Sequence, residues 1–366
     1  MDESGPAQLA TAQHDAALQA LRDGRLDDAR VLAATAVDTA TAAFGPDSAD
    51  LANIVLTLAD VEEAAGNFSA ALTLAERAAA TAAPLADSDD DELVALWVDI
   101  EVACARIRCT QGGYGQAEAR LAAALTTATR VLAPDDPGVL SIHNMRGVTA
   151  KYAGRFDDAE AHYERVRAVL DIEPTADPQA LAVLLHNLGG LAHSRGRVVE
   201  GLAHARRGLT LRIGTVGDNH PDVASDLNAI GALHHDAGDA PAAEGCYRRA
   251  LEIFENTLGA EHYEVGMTCA NLAVAVAASG DTQRAQQYYE QALQILQRPL
   301  GATHPDVALV RHNLAVLLAD AGDLEAAHRQ LADAEKALTA ALTPQHPRLL
   351  ELQATIKDLS PQRNPR

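Results

Sequence analysis

Apolar positions in residues 240–258 recur at intervals of three, four and seven: Ala243, Tyr247, Ala250, Leu251, Phe254 and Leu258. That spacing puts them on one face of a 3.6-residue-per-turn rod and predicts an amphipathic α-helix. The stretch before it, 221–237, carries Val223, Leu227, Ile230 and Leu233 at similar spacing and predicts a second helix. It opens on His220-Pro221-Asp222, where proline suits the first helical position and an acid in the first turn complements the helix dipole. Gly238 and Asp239 separate the two helices. Glycine reaches the left-handed conformation that ends a helix, and aspartate caps the next one. The predicted unit is an antiparallel helical hairpin.

The hairpin recurs. Gly238, Gly280 and Gly322 follow at a 42-residue step, each trailed by an aspartate; Ala243, Ala285 and Ala327 sit five residues later, and Tyr247, Tyr289 and Leu331 nine later. His220, His262, His304 and His346 keep the same step. Upstream, Gly196, Gly154 and Gly112 hold it, four extra residues precede Gly112, and Gly24 and Gly66 are again 42 apart, which makes eight units. A fixed period of tens of residues is the mark of a repeat array. Seven residues before each turn glycine the units read Ala17, Ala59, Ala105, Gly147, Gly189, Gly231, Ala273 and Ala315. None is larger than alanine, so two helix backbones approach closely there.

These residues resemble the tetratricopeptide repeat, with a small residue in each helix and an aromatic four residues beyond the second one (Tyr163, Tyr247, Tyr289). The period and the linkers Leu258-Gly259-Ala260-Glu261-His262 and Leu300 to Pro305 are similar to the long-helix form found in kinesin light chains. The chain departs from the family pattern in lacking a bulky aromatic early in the first helix, in Gly201, and in His143 and Arg146, where apolar residues are expected. The resemblance implies an all-α fold, a right-handed α-solenoid of about eight tandem helix-turn-helix repeats counted as one domain over 1–366. The repeats fall near 5–43, 49–82, 91–131, 137–170, 178–214, 221–256, 263–298 and 305–340, with a cap helix at 347–359 and a polar tail at 360–366.

Composition narrows the partners. A formal charge of −22 opposes nucleic acid, whose affinity rests on lysine and arginine, and opposes an anionic membrane surface. Basic peptides or protein patches are the electrostatic complement, although acidity also serves solubility. The start, MDESGPAQLATAQHDAAL, lacks a basic stretch before an apolar core, and no apolar run approaches the length of a membrane span. Cys104, Cys109, Cys246 and Cys269 show no zinc or redox spacing and suit free thiols in a cytoplasmic protein. The acidic run Pro84 to Glu92 lacks the ligand order of a calcium loop and reads as a solvated linker with helix N-terminal charge. No phosphate loop or nucleophile elbow occurs, so neither a catalytic residue nor a cofactor is expected.

The family resemblance implies that first helices (A helices) line a concave groove with the positions ten, six, three and two before the turn glycine. Polar groups concentrate there in the middle of the chain: Arg106, Asn144, Lys151, Tyr152, His186, His193, Asn228 and His235. Asn144, His186 and Asn228 are equivalent in three successive repeats and are expected to form a ladder bonding the backbone of an extended peptide. Arg106 and Lys151 would hold a carboxylate or phosphate. The function expected is a non-enzymatic scaffold for a partner peptide or protein segment. Two alternatives stay open: a metal-dependent enzyme or metal sensor built on His186, His193 and His235, and a peptide-responsive regulator that acts by binding or releasing a partner. A solvated groove without ligand is the bland alternative; partner identity and homo-oligomerisation are also open.

Overall fold

The computed structural model describes residues 4–170 and 177–359; the expected tail at 360–366 lies outside them. Among the described residues the chain is helical and without strands. Its helices are α1 Ser4–Arg22, α2 Leu26–Phe44, α3 Ala49–Ala64, α4 Phe68–Ala82, α5 Asp91–Thr110, α6 Tyr114–Ala128, α7 Pro137–Tyr152, α8 Phe156–Leu170 and α9 Pro178–Ser194. They continue as α10 Val198–Val216, α11 Pro221–Asp236, α12 Ala240–Leu258, α13 Tyr263–Ala278, α14 Thr282–Leu300, α15 Pro305–Asp320, α16 Leu324–Ala341 and α17 Pro347–Leu359. The chain divides into two compact units, Met1–Leu191 with Gly214–Val216 and Ala192–Ile213 with Gly217–Arg366.

Each turn between an A helix and its B helix is made by the repeated glycine. At Gly24, Gly66, Gly112, Gly154, Gly196, Gly238, Gly280 and Gly322 the φ angle lies between 70 and 88°, which side chains rarely adopt. The following acids cap as expected: Asp239, Asp281 and Asp323 accept from the amides of Ala242, Arg284 and Ala326. The linker histidines prove to be caps too. Nδ1 of His220, His262, His304 and His346 accepts the amide of Asp222, Glu264, Asp306 and Arg348 at 3.1–3.2 Å. The acidic linker forms a 3₁₀ turn, Ala83–Asp87, after which Asp90 caps α5.

Small residues sit where the helices cross. Ala17, Ala59, Ala105, Ala273 and Ala315 are fully buried, and so are their B-helix counterparts Ala29, Ala71, Ala117, Ala285 and Ala327. In two repeats a tyrosine ring lies where an A-helix side chain would stand: a Cβ on Gly147 would lie 2.3 Å from Cε1 of Tyr163, and one on Gly231 2.6 Å from Cε1 of Tyr247, whereas in the seventh repeat Ala273 and Tyr289 are both buried at the same two positions. In the first unit α1 packs on α2, α3 on α4, α5 on α6 and α7 on α8; in the second, α11 pairs with α12, α13 with α14 and α15 with α16. The pairs stack through B-to-A contacts such as α2 on α3 and α12 on α13.

Candidate functional site

Within each unit the A helices also touch one another directly: α1, α3, α5 and α7 in the first, and α11, α13, α15 and α17 in the second. Among the described residues no B helix packs on another B helix to a comparable extent. The A helices are therefore the more closely spaced side of these stacks, and the predicted site residues lie on A helices.

In the first unit, Arg106 of α5 reaches back to α3. Its guanidinium donates to Asp60 at 2.7 Å and makes a shorter contact with Glu63. Burial raises the Glu63 carboxyl above its usual range even though Arg106 pulls it down. The cation expected to receive a ligand carboxylate is thus engaged by two carboxylates of the protein. Asn144 accepts on Oδ1 from Asn187 Nδ2 at 2.9 Å, joining α7 to α9. Lys151 places Nζ 4.7 Å from the centre of the Tyr152 ring, which stacks on Tyr114 at 6.1 Å with an 8° interplanar angle. Tyr152 is 39 % exposed. A Cβ on Gly190 would stand 3.1 Å from the Lys151 ammonium; every other repeat carries a side chain at this position, from Ala232 to Arg106. His186 is half-buried on α9.

In the second unit, Asn228 Nδ2 donates to Thr268 Oγ1 at 2.8 Å, joining α11 to α13, and Thr268 donates on to the Glu264 carbonyl at 2.7 Å. Asn228 Oδ1 and His235 Nδ1 are enclosed without a hydrogen-bond partner. His193 Nε2 lies 3.1 Å from Asp236 Oδ2.

The structure therefore gives the expected asparagine ladder a second occupation. Asn144 and Asn228 bond sideways to Asn187 and Thr268, residues the sequence reading did not single out. His14 with Thr57 at 2.8 Å and His312 with Thr355 at 2.9 Å repeat the device. Three of these four pairs are 43 residues apart, one more than the repeat, and that offset is the signal by which they could have been found.

Among the described residues no three His, Cys, Asp or Glu side chains gather as a metal-binding set, and no helix is long and apolar enough to cross a membrane. Burial pushes the Cys104 and Cys269 thiols up to about 12, so neither is a thiolate at neutral pH. Glu264 is pushed up to about 7 by burial and by Asp306 and Asp222, its equivalents in the flanking repeats.

No curated protein sequence matches the chain. Solved structures do. A Rap protein complexed with Competence and Sporulation Factor superposes with a TM-score of 0.61 at 12% identity, covering 85% of this chain and 88% of its own. NprR in complex with its cognate peptide NprX gives 0.58 at 13% identity, over 74% of each chain. BtubC from P. vanneervenii gives 0.44 at 19% identity, over 74% of this chain and 95% of its own. At these identities the likeness to Rap and NprR is one of fold. The tetratricopeptide-repeat model itself matches residues 8–83, 100–171, 180–256, 227–298 and 266–340. With nearly the whole length matched and the helical hairpins seen in place, the chain belongs to the tetratricopeptide repeat family.

Proposed function

We propose that the protein is a non-enzymatic interaction scaffold whose A-helix face binds a peptide or protein segment of a partner. The observation that carries this reading is the Tyr152 ring, the one exposed aromatic side chain among the described residues. It is braced by Tyr114 and by the Lys151 ammonium, and a rigid aromatic beside a cation is the composition of binding hot spots. The fold shared with NprR, solved with its peptide NprX, and with a Rap protein, solved with Competence and Sporulation Factor, supports the same use of the surface.

The test starts from the proteins that co-purify with the full chain, mapped to the shortest segment that binds. Tyr152→Ala removes an exposed ring and should leave the far-ultraviolet circular dichroism unchanged while weakening that segment's binding by tenfold or more, about 1.4 kcal/mol. Equal affinity of Tyr152→Ala and the natural chain for every captured segment would take the A-helix face out of the reading.

A further inference from the structure

We propose that His143 and His162 form a proton-sensitive latch, which holds the fourth hairpin, α7 on α8, closed in neutral solution and loosens it in mild acid. Their Nδ1 atoms stand 3.0 Å apart, with ring centres 5.3 Å apart and tilted by 35°. A bond between two imidazole nitrogens needs a proton on one and a lone pair on the other, which a neutral pair supplies. One added proton places a cation in a buried spot between guanidinium groups. A second leaves two N–H groups facing each other.

The place of the pair in the repeat shows what it is for. His143 lies eleven residues before the turn glycine and His162 eight after it. The same two positions are bonded in the third hairpin by the ion pair Glu101–Arg120, and in the last by Arg311 with Gln330 at 2.7 Å. This slot fastens A helix to B helix. Repeats three and eight fasten it with groups that keep their charge state near neutrality, repeat four with two groups that titrate there.

The surroundings sharpen the response. The charges facing the pair are Arg146 on α7, Arg165 and Asp158 on α8, and Glu118 on α6. Glu118 is held by Arg146 at 2.6 Å, so it offsets that guanidinium first. Burial, then the partner imidazole and the two arginines, lowers His143 to about 4; burial and Arg146 lower His162 as well. Both shifts are downward, so the unfolded hairpin binds protons that the folded one refuses. The latch is at full strength above the ordinary histidine pKa and loses strength as pH falls from about 6.5 toward 4. Because α7 also carries Asn144, Lys151 and Tyr152, loosening it would alter the binding surface; that consequence rests on the proposed function, whereas the latch does not.

Hydrogen exchange on the full chain tests the latch, with rates corrected for the intrinsic pH dependence of exchange. Protection of residues 137–170 should fall at least about tenfold from pH 7.5 to 5.0, a loss of about 1.4 kcal/mol, while residues 91–128, fastened by Glu101–Arg120, change less. His143→Glu with His162→Arg transplants the third hairpin's pair and should abolish the difference. Equal loss in both hairpins, no loss, or a response that persists in the double variant would overturn the latch. If the double variant does not fold, imidazole titration of the natural chain by NMR decides: rings neutral at pH 6 support it, and a midpoint at or above the ordinary histidine value refutes it.

Discussion

Replacing Gly147 by alanine sets two opposing effects against each other, and the structure decides between them. Alanine in a helix interior is favoured over glycine by about 1 kcal/mol. The new Cβ, however, would lie 2.3, 2.7 and 2.8 Å from Cε1, Cδ1 and Cζ of Tyr163, against roughly 3.5–4 Å for carbon atoms at rest. The ring has nowhere to go, since it is fully buried among Ala150, Ala159, Val166, Leu184, Leu188 and Leu191. Overpacking costs about 1–3 kcal/mol, and an overlap of more than an ångström against a rigid ring belongs at the upper end. The expected net loss is about 2 kcal/mol after the helix gain is subtracted, read as a lower urea midpoint of the circular dichroism transition. Tyr163→Leu added to Gly147→Ala recreates the Ala315–Leu331 pairing of the eighth repeat and removes a phenol oxygen that has no partner. The pair should therefore couple favourably by about 1 kcal/mol or more in a double-mutant cycle. A Gly147→Ala chain as stable as the natural one, or more stable, would refute the packing argument.

Two further predictions concern the second unit. Arg212 is 5 % exposed and bonded to Asp226 at 2.8 Å and to Asp222 at 3.2 Å. Asp226→Ala removes the closer and more deeply buried of the two carboxylates that hold this guanidinium and should cost about 3 kcal/mol, whereas Arg212→Met with Asp226→Leu should recover most of the loss; urea unfolding of both variants checks it, and a mild single-variant effect would count against the buried pair. For Glu264, burial and the neighbouring Asp306 and Asp222 carboxylates push the folded carboxyl up to about 7, well above an unperturbed glutamate. A raised acid costs stability as pH climbs through that window and costs most above it. Glu264→Gln should stabilise by on the order of 1–3 kcal/mol at pH 8 and by nothing at pH 4.5; equal effects at the two pH values would show that charge is not the cause.

The hairpins were legible in the sequence because their punctuation is chemical. A left-handed turn demands glycine at Gly238, and the amide ends of the next helix demand an acceptor such as Asp239. Close crossing demands the alanine and glycine positions, and the Tyr163 ring lies where a Cβ on Gly147 would stand. Side-chain partners were less legible. Arg106 meets Asp60 and Glu63 across the four-residue insertion before Gly112, so its partners appear only when the register is counted from the turn glycines rather than at a fixed 42-residue step. His143, which departs from the family pattern, becomes intelligible only beside His162, nineteen residues on in a different helix. The offsets of 43 and 46 follow the repeat register, but which polar residue at those offsets pairs with which is settled only in three dimensions, and the offset of 19 within a hairpin lies outside the apolar period altogether.

Those offsets also separate packing from recognition on the A helices. The position seven before the turn glycine is taken by the B-helix crossing, and the position eleven before it fastens the hairpin at Glu101, His143 and Arg311. The position ten before it bonds the next A helix at His14, Asn144, Asn228 and His312. The positions six, three and two residues before the glycine carry Lys151, Tyr152, Gly190, His193, His235 and Asp236, with His193 and Asp236 3.1 Å apart. Substitution at Asn144 or Asn228 therefore breaks a bond between A helices and should register first as lost stability. Substitution at Tyr152, whose ring is 39 % exposed, should register first as lost affinity. If affinity instead fell with stability unchanged at Asn144, the ladder would be the recognition element after all, and the sideways bonds would be incidental to its purpose.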